Sequence, residues 1–136
     1  MADTVRRVEY CYVTVPDRPG EGRKVLSALK EGGVNLLAYL GFPSGSGQSQ
    51  MDLVAEKTDG LKQAAEKAGI KLSETKRAFL VQGNDRAGAV ADTLAKLADA
   101  NVNVTAAAAS SAGSNYSMVL WVAPGDYDKA AKALGI

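Results

Sequence analysis

Apolar positions along the chain alternate between two periods. Residues 8–15 (VEYCYVTV) and 78–82 (AFLVQ) are short β-branched and aromatic runs, which predicts strands. After each run the spacing lengthens: Gly22, Val25, Leu26 and Leu29, then Val90, Leu94, Leu97 and Ala98. A recurrence of three to four residues puts one apolar stripe on a helix. Gly32-Gly33 and Asn101 come next, residue types that accept the left-handed conformation ending helices. Second strands are predicted over 34–40 (VNLLAYL) and 102–109 (VNVTAAAA), and turn-rich loops, GFPSGSGQSQ and SSAGSN, follow them. Third strands are predicted near 51–56 and 116–123. In the latter, Met118, Leu120 and Val122 alternate with Val119 and Trp121, so the strand is expected to be covered on both faces. Alanine-rich helices close each series, marked by Leu61, Ala64, Ala65 and Ala68 and by Tyr127, Ala130, Ala131 and Leu134.

The order strand–helix–strand–strand–helix therefore occurs twice. Asp17, Arg18 and Gly20 recur as Asp85, Arg86 and Gly88, 68 residues on, and Leu26, Leu29, Val34 and Asn35 recur as Leu94, Leu97, Val102 and Asn103. Met51 aligns with Met118 after a one-residue slip. Two related units, 1–73 and 74–136, account for this. A short strand at 71–74 would complete the first as a split βαββαβ arrangement, an antiparallel sheet with both helices on one face. The expected class is α+β, two ferredoxin-like units. The second stops at Ile136, where its own last strand should begin. Segment 4–8, the linker 71–76 or a second subunit is expected to cover that edge, since open edges invite association.

Composition narrows the chemistry. The 136 residues carry a formal charge of +1, which suits a polyanion poorly, because nucleic-acid affinity rests on many Lys/Arg–phosphate contacts. The basic pairs Arg6-Arg7 and Lys76-Arg77 read as solvated strand starts. With no histidine and one cysteine, Cys11, an internal disulfide, a Cys/His zinc site and Ser-His-Asp or Cys-His catalysis are all excluded. Cys11 itself reads as a small packed residue. Asp52, Glu56 and Asp59 are too scattered to suggest a metal or an acid–base pair, so neither metal nor cofactor is expected. GFPSGSGQSQ lacks the Gly-Lys-Ser/Thr ending of a phosphate loop. No run approaches the roughly 20 apolar residues of a membrane span. The opening MADTVRRV has no apolar signal core, so a cytoplasmic location is expected.

Residues 16–36 read PDRPGEGRKVLSALKEGGVNL, and 83–104 read GNDRAGAVADTLAKLADANVNV. A strand, Asp-Arg-Pro-Gly, an amphipathic helix and Gly-Val-Asn-Leu together resemble the ACT domain family of small-molecule-binding regulatory modules. The second copy has Ala87 in place of the proline. The resemblance implies a stand-alone tandem ACT protein, non-catalytic, that binds a free amino acid at an interface between modules. It implies a homodimer, with a metabolic enzyme or regulator as a further partner. Carried over residue by residue, the ligand contacts would be Asp17, Arg18, Pro19, Gly20, Glu21 and Gly22 with Asn35 and Leu36. In the second copy they would be Asp85, Arg86, Ala87 and Gly88 with Asn103 and Val104. Three alternatives stay open: a subunit that docks on an enzyme without a ligand, an acylphosphatase-like enzyme, and a nucleic-acid module. The acylphosphatase phosphate loop is not recognisable, and the strand MDLVAEK lacks the aromatics that bases stack on.

The turn has its own physical logic. Pro19 presets a helical φ, Asp17 is suited to capping or an Asx-turn, and Gly20 and Gly88 permit close approach of backbone or ligand. A well-built strand-to-helix turn would need nothing more. Unpaired N–H groups at a helix start also attract a carboxylate, and Asp17, Asp85 or the asparagines offer oxygens to an ammonium. Arg18 and Arg86 suit either a bidentate carboxylate or a surface ion pair. Gly22 leaves room that Val90 fills, so the first loop is expected to form the better pocket.

Overall fold

The computed structural model describes residues 3–136. Its elements run β1 (Thr4–Pro16), α1 (Glu21–Glu31), β2 (Leu36–Gly45), β3 (Gln48–Ala55), α2 (Thr58–Lys67), β4 (Lys76–Asn84), α3 (Ala89–Asp99), β5 (Val104–Ala112), β6 (Asn115–Val122), a 3-10 turn (Pro124–Asp126) and α4 (Tyr127–Ala133). The expected α+β class is what the structure has, with strand–helix–strand–strand–helix in each repeat but no strand at 71–74. The chain forms two compact units: Glu9–Lys76, and the N-terminal segment up to Val8 with Arg77–Ile136.

In the Glu9–Lys76 unit the strand order is β2-β3-β1, with antiparallel pairing. Alternate strand residues Cys11, Val13, Met51, Leu53 and Ala55 join Val25 and Leu29 of α1 and Leu61 and Ala64 of α2 in one core, which places both helices on one face. A Cβ at Gly32 would lie 2.6 Å from the Ala64 Cβ, so this glycine lets α1 seat closely on α2. Gly32 itself is not left-handed (φ −79); Gly33 is (φ 74), and the Val34 N–H then bonds the Leu29 carbonyl at 2.9 Å. Segment 71–74 is not a regular strand. The Ser73 N–H bonds the Tyr12 carbonyl at 2.8 Å, but its hydroxyl, not a backbone carbonyl, accepts the Tyr12 N–H. The side chain thus ends the ladder after one rung.

In the other unit the order is β1-β4-β6-β5. The N-terminal end of β1 stands beside β4: of the three expected covers, segment 4–8 is the one in place. Val5 packs against a core of Phe79, Val81, Met118, Leu120, Leu97, Tyr127 and Ala130. Tyr127 stacks on Phe79 with ring centroids 4.4 Å apart, and its hydroxyl donates to the Ala78 carbonyl at 2.9 Å. Trp121, Val119 and Leu80 are also buried, so β6 is covered on both faces as its sequence predicts.

The hairpins differ from their sequence reading. β2 runs on to Gly45 and pairs Gly45 with Gln48, so most of GFPSGSGQSQ is strand, closed by a two-residue turn. Ser46 and Gly47 both take positive φ (56 and 72), the twist that tight hairpins need. Pro43 is tolerated because β2 is an edge strand. β5 likewise reaches Ala112, which pairs with Asn115. The registers correspond. Gly41, Met51 and Val13 form one rung in the first unit, and Ala109, Met118 and Val81 form it in the second. Two rungs on, the set is Pro43, Ser49 and Val15 in the first and Ser111, Tyr116 and Gly83 in the second.

Candidate functional site

Gly20 occupies the N-cap of α1 with φ 89, and no side chain caps the helix. Two expectations are corrected. Pro19 is not in the first helical turn, because left-handed Gly20 separates it from Glu21. Asp17 is not a cap: its N–H bonds the Gly47 carbonyl at 2.9 Å, and its carboxylate accepts the Ser49 hydroxyl at 2.9 Å. Glycine is required at 20 by its φ rather than by crowding, since a Cβ there would meet nothing within 4 Å. Arg18 is 70% exposed and only 3.6 Å from Glu21. Glu21 is held below the ordinary carboxylate range, chiefly by the hydrogen bond from Lys24.

Asp17, Arg18 and Gly22 line a cleft of about 320 Å³ with Tyr39, Phe42 and Met51. Tyr39 lies folded over Gly41, where a Cβ would come within 2.6 Å of the phenol oxygen. Tyr39 and Phe42 are 46% and 38% exposed, so the cleft has a polar rim and an apolar wall. Pro19, Gly20 and Glu21 belong to the turn without lining the cleft. Asn35 and Leu36 line a different groove, of about 540 Å³, at the far end of α1 with Leu26 and Lys30. The Asn35 amide there donates to Glu56 at 3.4 Å.

At the second turn Gly88 repeats the left-handed N-cap (φ 83), and the Asp85 N–H repeats the bond to its hairpin, reaching the Ser114 carbonyl at 2.9 Å. The side chains diverge. The Arg86 guanidinium forks onto the Asp3 carboxylate at 3.1 and 3.3 Å and also reaches Asp92 at 3.2 Å and the Asn84 carbonyl at 3.3 Å. The Tyr116 hydroxyl donates to the same Asp3 carboxylate at 2.6 Å. These hydrogen bonds, Arg86's first, hold Asp3 below its ordinary value; burial pushes the Tyr116 phenol up. Asp85, Arg86, Gly88 and Val90 line a cleft of about 300 Å³ with Ala109, Ser111 and Tyr116. Ala87 is exposed in the turn, and Asn103 and Val104 do not line this cleft.

Sequence reasoning therefore missed Ser49, Tyr39, Phe42, Tyr116 and Asp3. The Met51–Met118 alignment contains the signal for Ser49 and Tyr116, two residues upstream in each strand. Nothing in the sequence joins Asp3 to Arg86. Cys11 is fully buried, and burial raises its thiol pKa, which keeps it out of nucleophilic chemistry. Among the described residues, no helix is long and apolar enough to cross a membrane, and no group of three or more Cys, Asp or Glu could hold a metal ion.

No family model matches the chain, and no curated protein matches it. Solved structures do share its fold. A protein from Bacteroides thetaiotaomicron superposes with a TM-score of 0.83 at 14% identity, covering 96% of this chain and 88% of its own. The regulatory subunit of aspartate kinase from Thermus thermophilus, in its ligand-free form, gives 0.68 at 17% identity, covering 97% and 93%. The corresponding subunit from Thermus flavus gives 0.60 at 20% identity, covering 98% and 93%. The fold is thus one used by regulatory subunits of a metabolic enzyme.

Proposed function

We propose that this chain is a tandem ACT regulatory protein, with repeats 1–73 and 74–136, that binds a free amino acid and catalyses no reaction. The observation that carries the reading is the cleft at the first Asp-Arg-x-Gly turn. Its size falls in the range of about 300–1,000 Å³ typical of small-molecule sites. The first intrahelical bond of α1 runs from the Lys24 N–H to the Gly20 carbonyl. The N–H groups of Gly22 and Arg23 precede that bond, and such groups favour a carboxylate. Asp17 supplies an acceptor for an ammonium, and Tyr39, Phe42 and Met51 supply an apolar wall for a side chain. A homodimer would let a second copy close over this open cleft.

A thermal-melt panel of the twenty amino acids at millimolar concentration tests this. A ligand at about 100 times its dissociation constant adds roughly 2.7 kcal/mol, a rise of several degrees for a protein of this size. The expected result is a shift by one or a few amino acids that Asp17→Ala or Gly22→Val removes. A flat panel overturns it. The likeness to aspartate kinase regulatory subunits favours one second reading, a subunit that docks on a separate enzyme without a ligand of its own. Capture of a catalytic aspartate kinase subunit by a protein with a flat panel would support that alternative.

A further inference from the structure

The two turns share the left-handed glycine and the bond to a hairpin, yet the second has a carboxylate from far away in the sequence, that of Asp3, seated on its arginine. Gly83 stands on the rung where the first unit has Val15, and Tyr116 stands where it has Ser49. Both exchanges matter. A Cβ at Gly83 would collide with the Asp3 carboxylate, so the missing side chain is what makes room for it. Tyr116 extends a hydroxyl into the space that Ser49 is too short to reach. Asp3 then receives a two-pronged guanidinium and a phenol O–H, which is how proteins recognise free carboxylates.

We propose that Arg86 and Tyr116 form a carboxylate-binding site whose resident occupant is the chain's own Asp3, and that a free carboxylate takes the site when Asp3 leaves. Asp3 immediately precedes β1, and the ends of strands open locally at lower free-energy cost than their centres. Attachment to the chain presents Asp3 at an effective concentration on the order of millimolar or higher, so weak free carboxylates do not compete while it is seated. Arg86 keeps Asp92 and the Asn84 carbonyl when Asp3 departs, which holds the guanidinium in place. Lys96 also bears on the position and favours an anion there. The functional reading rests on the first turn and this proposal on the second, so its chemistry is independent of which ligand the first cleft takes.

The test is chemical rescue in the full chain. Asp3→Ala should melt several degrees below the wild type. Sodium acetate, titrated into the millimolar range, should raise that melt saturably, and sodium chloride at equal ionic strength should not. The wild type should respond alike to the two salts, and Asp3→Ala with Arg86→Gln should lose the acetate-specific rise. Coincident acetate and chloride curves for Asp3→Ala, or a rescue that survives Arg86→Gln, would overturn the proposal. Should Asp3→Ala not accumulate folded, refolding from denaturant in acetate against chloride reads the same competition: greater recovery in acetate supports the site, and equal recovery sinks it. An unresponsive amino-acid panel leaves this result untouched, so the two readings fail separately.

Discussion

Gly20 and Gly88 hold nearly the same left-handed angle, each followed by an eleven-residue helix, and Asp17 and Asp85 anchor their turns to neighbouring hairpins through the same backbone bond. Around these shared bonds almost every side chain differs. The first turn faces Ser49, Met51 and the exposed rings of Tyr39 and Phe42; the second faces Tyr116, small residues of β5 and a carboxylate from the other end of the sequence. The repeated letters Asp-Arg-x-Gly thus encode a backbone path. What each turn can bind is set by rung residues some thirty positions downstream, which the motif does not contain.

The largest test of this contrast is removal of residues 1–8. The unit containing Arg77–Ile136 loses buried Val8, the packing of Val5 on its core, and Asp3 from Arg86. We expect it to lose about 2 kcal/mol or more, at roughly 1.5–3 kcal/mol for a fully buried aliphatic side chain such as Val8 and less for the partly buried Val5. Amide hydrogen exchange should then show protection falling in β4 and β6 while α1 and β3 keep theirs. Equal loss in both units would erase the distinction.

A smaller effect separates the two aspartates by pH. The folded pKa of Asp3 is depressed, so its contribution is fully present above the unfolded value of about 3.9 and disappears as pH falls through the folded value. Asp3→Asn should cost about 1 kcal/mol at pH 7, a modest figure because Arg86 is part-exposed and the pair is screened. Urea unfolding of the two proteins should converge toward pH 3; a gap that stays constant would mean charge plays no part. Smallest is Asp17→Asn, which retains an acceptor for Ser49 in an exposed bond and should change stability by less than about 0.5 kcal/mol. A larger loss in the same urea experiment would make the first turn as tightly tied as the second.

The helices were legible in large part because their signals are local, although Ala98, read as part of the α3 stripe, is exposed while Thr93 is buried. The stripe of Val25 and Leu29 is buried as its spacing predicts, and Asn101 takes the left-handed angle (φ 58) that ends α3. The hairpins were less legible. Pro43 and the glycines of GFPSGSG suggest a loop by composition, yet an edge strand needs few donors and accepts both. Segment 71–74 has a strand's alternation, but Ser73 diverts the ladder to its hydroxyl. The Asp3–Arg86 pair spans 83 residues, and no local pattern announces a partner at that distance.

Trp121 is the chain's sole tryptophan, and it is buried in the unit built on Arg77–Ile136. Tyrosines, but no second indole, occupy Glu9–Lys76. Red-shifted emission on unfolding therefore reports one half of the molecule, while far-ultraviolet circular dichroism sums the helices and strands of both. The protein carries its own single-colour label, and any lag between the two optical signals measures directly how far one half can melt while the other stays dark to the probe.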